Sequence, residues 1–247
     1  MSALAAADIL TEAQRLSAAA EQEATPVRLL GGVAIALRCP SAQQPPLKRT
    51  YGDIDLVARS RDRRKLQRFL AGQGYRGLDQ LNAVHGGSRL FFYDEVNQRK
   101  LDVFIDRFEM CHELDLRPRL GLAGPTLSLA DLLLTKLQVV ETTEKDLRDI
   151  VAVFADHDFT DDDEGINLPY LVNLTGSDWG LWQTVTQVAE RAGRFASGLG
   201  GFGRAAERAA RLVEVLADAP KTAGWRVRAR VGGRVRWYKL PEEPDFS

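Results

Sequence analysis

The sequence predicts an α/β (α+β) protein with a mixed-sheet domain, a helical region after it and a basic β-hairpin at the C-terminus. Strand and helix patterns alternate in the first half of the chain, which is typical of a mixed sheet with helices packed on it. The second half repeats apolar residues with helical spacing. Near its C-terminus the chain carries WRVRARV, Gly232-Gly233 and RVRWYKL, a strand alternation around a turn. We place the three parts at residues 1–124, 125–220 and 221–247.

The first part begins with an alanine-rich helix at residues 4–24, which Pro26 ends. A short apolar strand, VRLL, then runs into two glycines and a further helix. We predict a loop at residues 40–50, because its prolines deny it regular structure. The remaining predicted elements are the strand IDLVA, the amphipathic helix RDRRKLQRFLAGQG, and an antiparallel hairpin of SRLFFYD and RKLDVFID.

Two helix starts in the second part carry polar caps. Ser128 precedes LADLLLTKLQVV and Thr143 precedes EKDLRDIVAVFAD, and both side chains can accept a backbone N–H of the first turn. Two or three further helices are expected between residues 164 and 219. GLGGFG within that span has no strand before it, so we interpret it as an interhelical turn and not as a dinucleotide motif.

The composition is that of an ordinary globular protein. The 247 residues carry a net charge of −1, so no global field attracts nucleic acid or a membrane. No apolar run approaches the ~18 residues that a membrane span needs, and the N-terminus lacks the basic start of a signal peptide. Cys39 and Cys111 provide neither a disulfide framework nor a C-x-x-C metal site. We therefore expect a cytoplasmic protein with no membrane partner.

Three aspartates form the first candidate site. Asp53 and Asp55 flank Ile54 at the start of a strand, and because strand side chains alternate faces, both carboxylates project the same way, about 7 Å apart. Asp102 lies in KLDVF on a later strand. If the two strands are neighbours, three carboxylates converge and repel one another unless a hard cation binds them. The pattern therefore predicts a divalent metal site.

Two glycines form the second candidate site. Gly31 and Gly32 stand where a strand meets a helix, so a phosphate can approach the backbone and the helix N-terminus without an intervening side chain. Two glycines alone are a weak signal. Their position ahead of D-x-D on the next strand, with a lone aspartate on a later strand, makes a phosphate-binding role the favoured interpretation.

The segments LLGGVAIAL, YGDIDLVA and KLDVFID resemble the nucleotidyltransferase superfamily. That superfamily includes DNA polymerase β and the minimal, aminoglycoside and abortive-infection (AbiE-type) toxin enzymes. The resemblance covers residues 27–106 and extends more loosely to about residue 156. The stretch between Gly32 and Asp53 is longer than in the smallest members because of the proline-rich loop, which leaves the nucleotide preference open.

The resemblance implies a nucleotidyltransferase-type fold and a role for each matching residue. Gly31 and Gly32 would bind the triphosphate, and Asp53 and Asp55 would ligate two Mg²⁺ ions, with Mn²⁺ as an alternative. Asp102 would be a metal ligand or a general base. The implied enzyme transfers a nucleoside monophosphate from a nucleoside triphosphate, such as ATP, to a hydroxyl acceptor and releases pyrophosphate.

Two lysines are further nucleotide-binding candidates. Lys136 falls on the apolar stripe of its helix, where a lysine either extends to solvent or meets an anion. The superfamily often places a lysine on such a helix, reaching the phosphates. Lys145 opens a K-D-x-x-D segment with Asp146 and Asp149 that resembles toxin-like members. A solvated helix face with i, i+4 pairing explains that segment equally well.

The acceptor remains open at this stage. RNA or tRNA, a small hydroxylated molecule and a protein side chain are all compatible with the sequence, and the toxin-like resemblance adds an antitoxin as a partner. The basic C-terminal segment with its interleaved aromatic residues suits a phosphate backbone. The alternatives are a hairpin that covers the acidic helical region and a solvated sheet edge protected from aggregation. The basic residues of this segment are Lys221, Arg226, Arg228, Arg230, Arg234, Arg236 and Lys239.

Two rival functions remain. A D-x-D glycosyltransferase also holds a metal on a nucleotide diphosphate, but it gives no role to Gly31, Gly32 or Asp102. A catalytically silent nucleotide-binding regulator would retain the fold without turnover, although all three carboxylates are present.

Overall fold

A five-stranded mixed sheet forms the centre of the computed structural model, which describes residues 5–240. Its strands are β1 (Val27–Leu30), β2 (Asp53–Ala58), β3 (Arg76–Gly77), β4 (Arg89–Asp94) and β5 (Arg99–Ile105). They lie in the order β1, β2, β5, β4, β3, with β2 and β5 parallel and the other neighbours antiparallel. The predicted mixed α/β class and the predicted β4–β5 hairpin are confirmed.

Four helices accompany these strands. They are α1 (Ile9–Gln22), α2 (Gly31–Arg38), α3 (Arg63–Gly72) and α4 (Asp79–His85). The helix α1 starts where the Asp8 carboxylate accepts the backbone N–H of Thr11 at 2.8 Å. It packs with α2 against β1 and β2. The short elements β3 and α4 were not predicted, because two strand residues and seven helical residues are too few to show a period.

The predicted loop at residues 40–50 contains one turn of 3₁₀ helix, Pro40–Gln43. Proline is accepted in a first helical turn, because the N–H that it lacks would have no partner there. After this part the chain forms a small antiparallel ribbon, β6 (Arg107–Glu109) and β7 (Glu113–Asp115).

The second part is helical, as predicted. Its elements are α5 (Leu129–Leu137), α6 (Glu144–Asp156), a two-stranded pair β8 (Phe159–Thr160) and β9 (Ile166–Asn167), α7 (Leu168–Ser177), α8 (Trp179–Gly198) and α9 (Gly203–Asp218). Ser128 caps α5 by accepting the N–H of Asp131, and Thr143 forms a reciprocal capping box with Asp146 on α6. Both predicted caps are confirmed, and GLGGFG spans the turn between α8 and α9.

The two parts pack together around α2, which contacts both α5 and α6. The chain also crosses between them at β1, where Leu127 N–H donates to the carbonyl of Leu29 at 2.9 Å. Within residues 5–240, no helix combines the length and apolar character needed to cross a membrane.

The predicted C-terminal basic hairpin is wrong. Residues Ala223–Val231 form a helix, α10, followed by one 3₁₀ turn at Gly232–Arg234. Thr222 caps the helix, and the Trp225 ring packs edge-on against Trp182 at 5.2 Å. The glycine expected to make a hairpin turn instead ends the helix, with φ of +57°. Residues 241–247 of the expected hairpin segment lie outside the described part of the chain.

This error has a physical cause. RVRARV alternates with a period of two, but its valines also stand four residues apart, which is helical spacing. The cap and the tryptophan contact select the helix, and Arg228 and Arg230 lie in its last turn, where cations suit the helix dipole.

Candidate functional site

Asp55 and Asp102 stand side by side on the two parallel strands at the centre of the sheet. The β2–β5 register pairs Asp55 with Asp102 and Asp53 with Lys100. Residues paired in this way share a face, and Asp53, two positions before Asp55, points the same way. The expected neighbour relation of the two strands is confirmed, and all three carboxylates lie on one face of the sheet.

The negative charges on this face affect the pKa values of Asp55 and Asp102. Asp53 is exposed, Asp55 is partly buried and Asp102 is buried. The pKa of Asp55 is raised to about 7, chiefly by burial and then by the charges of Asp53 and Asp102, while Arg89 and Lys136 oppose the rise. This carboxyl therefore holds a proton more readily than an ordinary aspartate, and a cation bound beside it would expel that proton.

Of the two carboxylate oxygens of Asp102, one accepts a hydrogen bond and the other has no hydrogen-bond partner. Arg89 donates from Nη2 to Oδ2 of Asp102, while Oδ1 is buried with no hydrogen-bond partner. Burial raises the pKa of Asp102, and the Arg89 guanidinium opposes that rise. The guanidinium also lies over the rings of Phe104, at 4.7 Å, and Phe91, at 5.1 Å. The sequence alone does not identify Arg89, because only the β4–β5 register brings it to Asp102.

Both the backbone conformation at position 31 and the nearby Asp55 side chain require glycine at Gly31. Its φ is +70°, a conformation that favours glycine, and a Cβ there would collide with Oδ2 of Asp55. The antiparallel register that pairs Leu30 with Asp55 produces this close approach. The first turn of α2 thus lies directly against the sheet face that carries the carboxylates. A site that binds both a phosphate and a metal ion would need this proximity.

Gly32 lies against an arginine that the sequence did not single out. A Cβ at this position would collide with the Arg49 guanidinium and would lie 3.2 Å from the ring of Tyr51. The Tyr51 hydroxyl is buried with no hydrogen-bond partner, and its ring lies 4.2 Å from the Arg49 guanidinium carbon. A phosphate at this junction would therefore meet a cation and an unpartnered hydroxyl in addition to backbone N–H groups.

A closed network of ion pairs supports this end of the site. Arg49 donates to both oxygens of Asp149 at 2.9 and 2.8 Å. Lys136 contacts Asp149 and Asp146, each at 3.0 Å. Burial alone would lower the pKa of Lys136, but Asp149 and Asp146 raise it, so the amine is a cation. Lys136 thus contacts anions of its own chain, and its predicted contact with phosphate stays a prediction.

The residues of the K-D-x-x-D segment lie in two environments, one buried and one exposed to solvent. Asp149 is buried and Asp146 half-buried, so the solvated-face interpretation is wrong for Asp149. Lys145 is exposed, and its position next to Asp146 turns it about 100° around the helix. The structure therefore brings Lys136 to the site and leaves Lys145 outside the ion-pair network.

No three His, Cys, Asp or Glu side chains of residues 5–240 are arranged as a ready-made metal site. Asp53 stands exposed at the start of β2, and Asp102 is held by Arg89. The donors nevertheless suit a hard cation, because they are carboxylate oxygens and Oδ1 of Asp102 is buried without a partner. The residues present fit Mg²⁺ or Mn²⁺ by type.

A cavity of about 340 Å³ opens next to Arg89. Phe91 and Phe104 lie on the same sheet face as Asp102, since the register pairs Phe91 with Asp102 and Arg89 with Phe104. The residues that line the cavity are His85, Ser88, Arg89, Phe91, Phe104, Arg107, Glu109, Met110, Lys239 and Leu240. No sequence motif marks this cavity, because it joins three separated segments of the chain.

No protein-family model matches the sequence, and a comparison with curated proteins finds no match.

Proposed function

We propose that this protein is a magnesium-dependent nucleotidyltransferase. It transfers a nucleoside monophosphate from a nucleoside triphosphate to an acceptor hydroxyl and releases pyrophosphate. The observation that carries the proposal is the pairing of Asp55 with Asp102 on adjacent parallel strands, with the helix start at Gly31 packed against Asp55. A cation held by these carboxylates and a phosphate at the start of α2 would be in contact, which supports the proposal.

The proposed roles follow from burial and partners. Asp53 and Asp55 hold the divalent ions, which when bound stabilise charge on the triphosphate and ease deprotonation of the acceptor. Gly31 lets the first turn of α2 approach Asp55 closely, so a phosphate bound at that helix start would lie beside the proposed metal ligands. Asp102 can take the hydroxyl proton through Oδ1, which has no other partner, and its raised pKa suits it to hold a proton.

The cations of the site stabilise negative charge on the phosphates. Arg49 lies against Gly32, and Lys136 is close enough to lower the pKa of Asp55. Both are held by Asp149, so they are oriented before substrate arrives. Arg89 holds Asp102 in place by occupying its other oxygen.

The test is a transfer assay with position-specific labels. Each nucleoside triphosphate, labelled on the α- or the γ-phosphate, is incubated with Mg²⁺ and either total RNA or a set of small hydroxylated molecules. The proposal requires α-label to appear in an acceptor while γ-label leaves as pyrophosphate. Asp53→Ala should lower the rate by about 10³-fold, because it removes charge stabilisation made in the transition state. Equal rates for both proteins would refute the assignment of the site.

A catalytically silent nucleotide-binding regulator is the second candidate, and the Arg89–Asp102 ion pair favours it, because that pair occupies a carboxylate oxygen that a metal could use. It predicts magnesium-dependent nucleotide binding without pyrophosphate release on any acceptor. The D-x-D glycosyltransferase predicts release of a nucleoside diphosphate and no pyrophosphate. The transfer assay therefore separates the nucleotidyltransferase from both rivals, and the same assay with a nucleotide sugar as donor, from which only a glycosyltransferase releases a nucleoside diphosphate, separates the two rivals from each other.

A further inference from the structure

A second cavity lies at the end of α2 that is farthest from Gly31. It is bounded by the second half of α1, the last turn of α2, the edge strand β1 and the loop at residues 123–126, and its volume is about 790 Å³. That volume falls within the range of small-molecule sites. The lining contains neither the two glycines nor the three aspartates of the candidate site, so this cavity is separate from the carboxylate face.

Two arginines without a carboxylate partner line the second cavity. Arg28 is half-buried on β1, and Arg38 is half-buried in the last turn of α2. Neither forms an ion pair within residues 5–240, whereas the half-buried Arg49 and Arg119 each pair with a buried aspartate. Desolvation of a guanidinium is normally offset by such a partner. The two cavity arginines are therefore suited to an anion from outside the chain.

The hydrogen bonds of these arginines leave donors for a ligand. Arg28 donates from Nε at 3.2 Å and Nη2 at 2.7 Å to the carbonyl of Leu122, and from Nη1 at 2.9 Å to that of Val27. Arg38 donates from Nη1 to Oγ1 of Thr126 at 3.1 Å. Because a guanidinium carries five N–H groups, both side chains keep donors for a further acceptor. The existing bonds also orient them before a ligand arrives.

The charges around Arg28 favour a bound anion. The pKa of Arg28 is lowered, chiefly by burial and then by the charge of Arg59, and Glu21 opposes the fall. Glu21 is exposed and is the one acidic side chain of the cavity lining, against two basic side chains. An oxyanion bound to Arg28 would stabilise its charged form.

Apolar side chains form much of the remaining cavity wall. Ala20 of α1 and Val27 and Leu29 of β1 are buried residues of the lining, and Leu37 of α2 is half-buried. A hydrocarbon group placed against them would remove apolar surface from water and so add affinity. An inorganic ion would leave this part of the wall uncovered. The lining therefore favours a ligand with both an anionic group and an apolar body.

We infer that the second cavity binds a small organic oxyanion, a carboxylate or a phosphate ester that carries an apolar body of several carbon atoms. Its oxygens accept hydrogen bonds from Arg28 and Arg38, since the guanidinium fork matches both groups. Its hydrocarbon part covers Val27, Leu29 and Leu37. The inference goes beyond the proposed function and does not depend on it.

The test is isothermal titration of the full chain without Mg²⁺ or nucleoside triphosphate. The probes are octanoate and octyl phosphate, which share the apolar body and differ in the oxyanion. At least one should bind with a dissociation constant of about 0.1–1 mM, as about ten non-hydrogen atoms allow. Acetate lacks the apolar body and octylammonium has the opposite charge, so both should bind about tenfold more weakly or less. The tighter oxyanion identifies the class of ligand.

Three variants assign the binding to this cavity. Arg38→Gln removes a guanidinium that bonds only to Thr126 within residues 5–240, and should weaken binding of the tighter probe about tenfold. Ala18→Trp, at an exposed position of α1 in the lining, should fill the cavity and abolish binding without removing either arginine. The matched control is Arg211→Gln, an exposed arginine of α9 outside the lining, which should bind as the native chain does.

Four results would overturn the inference. They are no binding of either oxyanion below about 10 mM, equal affinity for octylammonium, equal affinity for acetate, and no difference of Arg38→Gln and Ala18→Trp from the control. The outcomes are also separate from those of the transfer assay. Nucleotide transfer without oxyanion binding would refute this inference alone, and oxyanion binding at the cavity without transfer would refute only the proposed function.

Discussion

The two charged clusters of the site are built in opposite ways. Around Asp149, two cations meet two carboxylates at distances of 3.0 Å or less, and the charges balance. On the sheet face, three carboxylates converge, and burial and neighbouring negative charge raise the pKa values of Asp55 and Asp102, with Arg89 in contact with Asp102. The first cluster resembles a structural brace, and the second is an unbalanced charge that a divalent cation would neutralise.

This difference in charge balance has opposite consequences for the stability of the fold. A balanced buried network destabilises the fold when one member is removed, because the remaining charges lose their partners. Removal of one carboxylate from an unbalanced cluster should instead stabilise the fold, because it relieves repulsion between like charges in the metal-free protein. The same class of substitution, aspartate to a neutral residue, should therefore have opposite effects on stability at the two clusters.

The largest expected effect on stability is at Asp149. Asp149→Ala leaves Arg49 and Lys136 without their shared carboxylate and should lower the free energy of unfolding by about 3–5 kcal/mol, measured by urea denaturation. The matched control on the same helix is Glu144→Ala, which removes an exposed pair with Arg148 and should cost less than about 0.5 kcal/mol. Equal losses in the two variants would show that the network is not a brace.

A smaller effect of opposite sign is expected at Asp55. In the folded chain its pKa is about 7, above the ordinary unfolded value of about 3.9. The folded state therefore holds this proton more tightly, and the associated stability, complete below pH ~4, is lost as pH rises through 7. Asp55→Asn should thus be more stable than the native chain at pH 8 by about 1–2 kcal/mol, allowing for solvent at this partly buried group.

The measurement is the free energy of unfolding of both proteins at pH 5 and pH 8, without divalent ions. The advantage of Asp55→Asn should grow between the two pH values. Asp115→Asn is the control, because hydrogen bonding and charge from Arg117 lower the pKa of Asp115, so no gain is expected there. If the difference in free energy of unfolding between Asp55→Asn and the native chain does not change with pH, the pKa of Asp55 is not raised in the folded chain.

Local signals predicted most of the fold. The VRLL strand was placed at its observed bounds, Val27–Leu30, because apolar residues run directly into two glycines. The caps at Ser128 and Thr143 were identified because short polar side chains preceded periodic apolar runs. The helix at Ala223–Val231 was missed, because its alternating sequence fits two periods and only a tertiary contact of Trp225 decides between them.

The site was predictable only where its chemistry is local. D-x-D and Gly-Gly are contiguous, and Asp102 followed from the strand pattern. Arg49 and Arg89 could not be found, because their partners, Asp149 and Asp102, are 100 and 13 residues away and depend on packing and on strand register. Those two arginines determine the net charge of each aspartate cluster. The sequence alone therefore could not predict the contrast between the two clusters.

The most direct test of the central claim is thermal unfolding of the native chain and Asp53→Ala with Mg²⁺ and a non-hydrolysable nucleoside triphosphate, added singly and together. Ligand at about 100 times its dissociation constant stabilises by about 2.7 kcal/mol, which for this size raises Tm by about 5–10 °C. The account predicts that rise in the native chain with both additions, and none in Asp53→Ala. An equal rise in both proteins, or no rise with any of the four nucleotides, would contradict it.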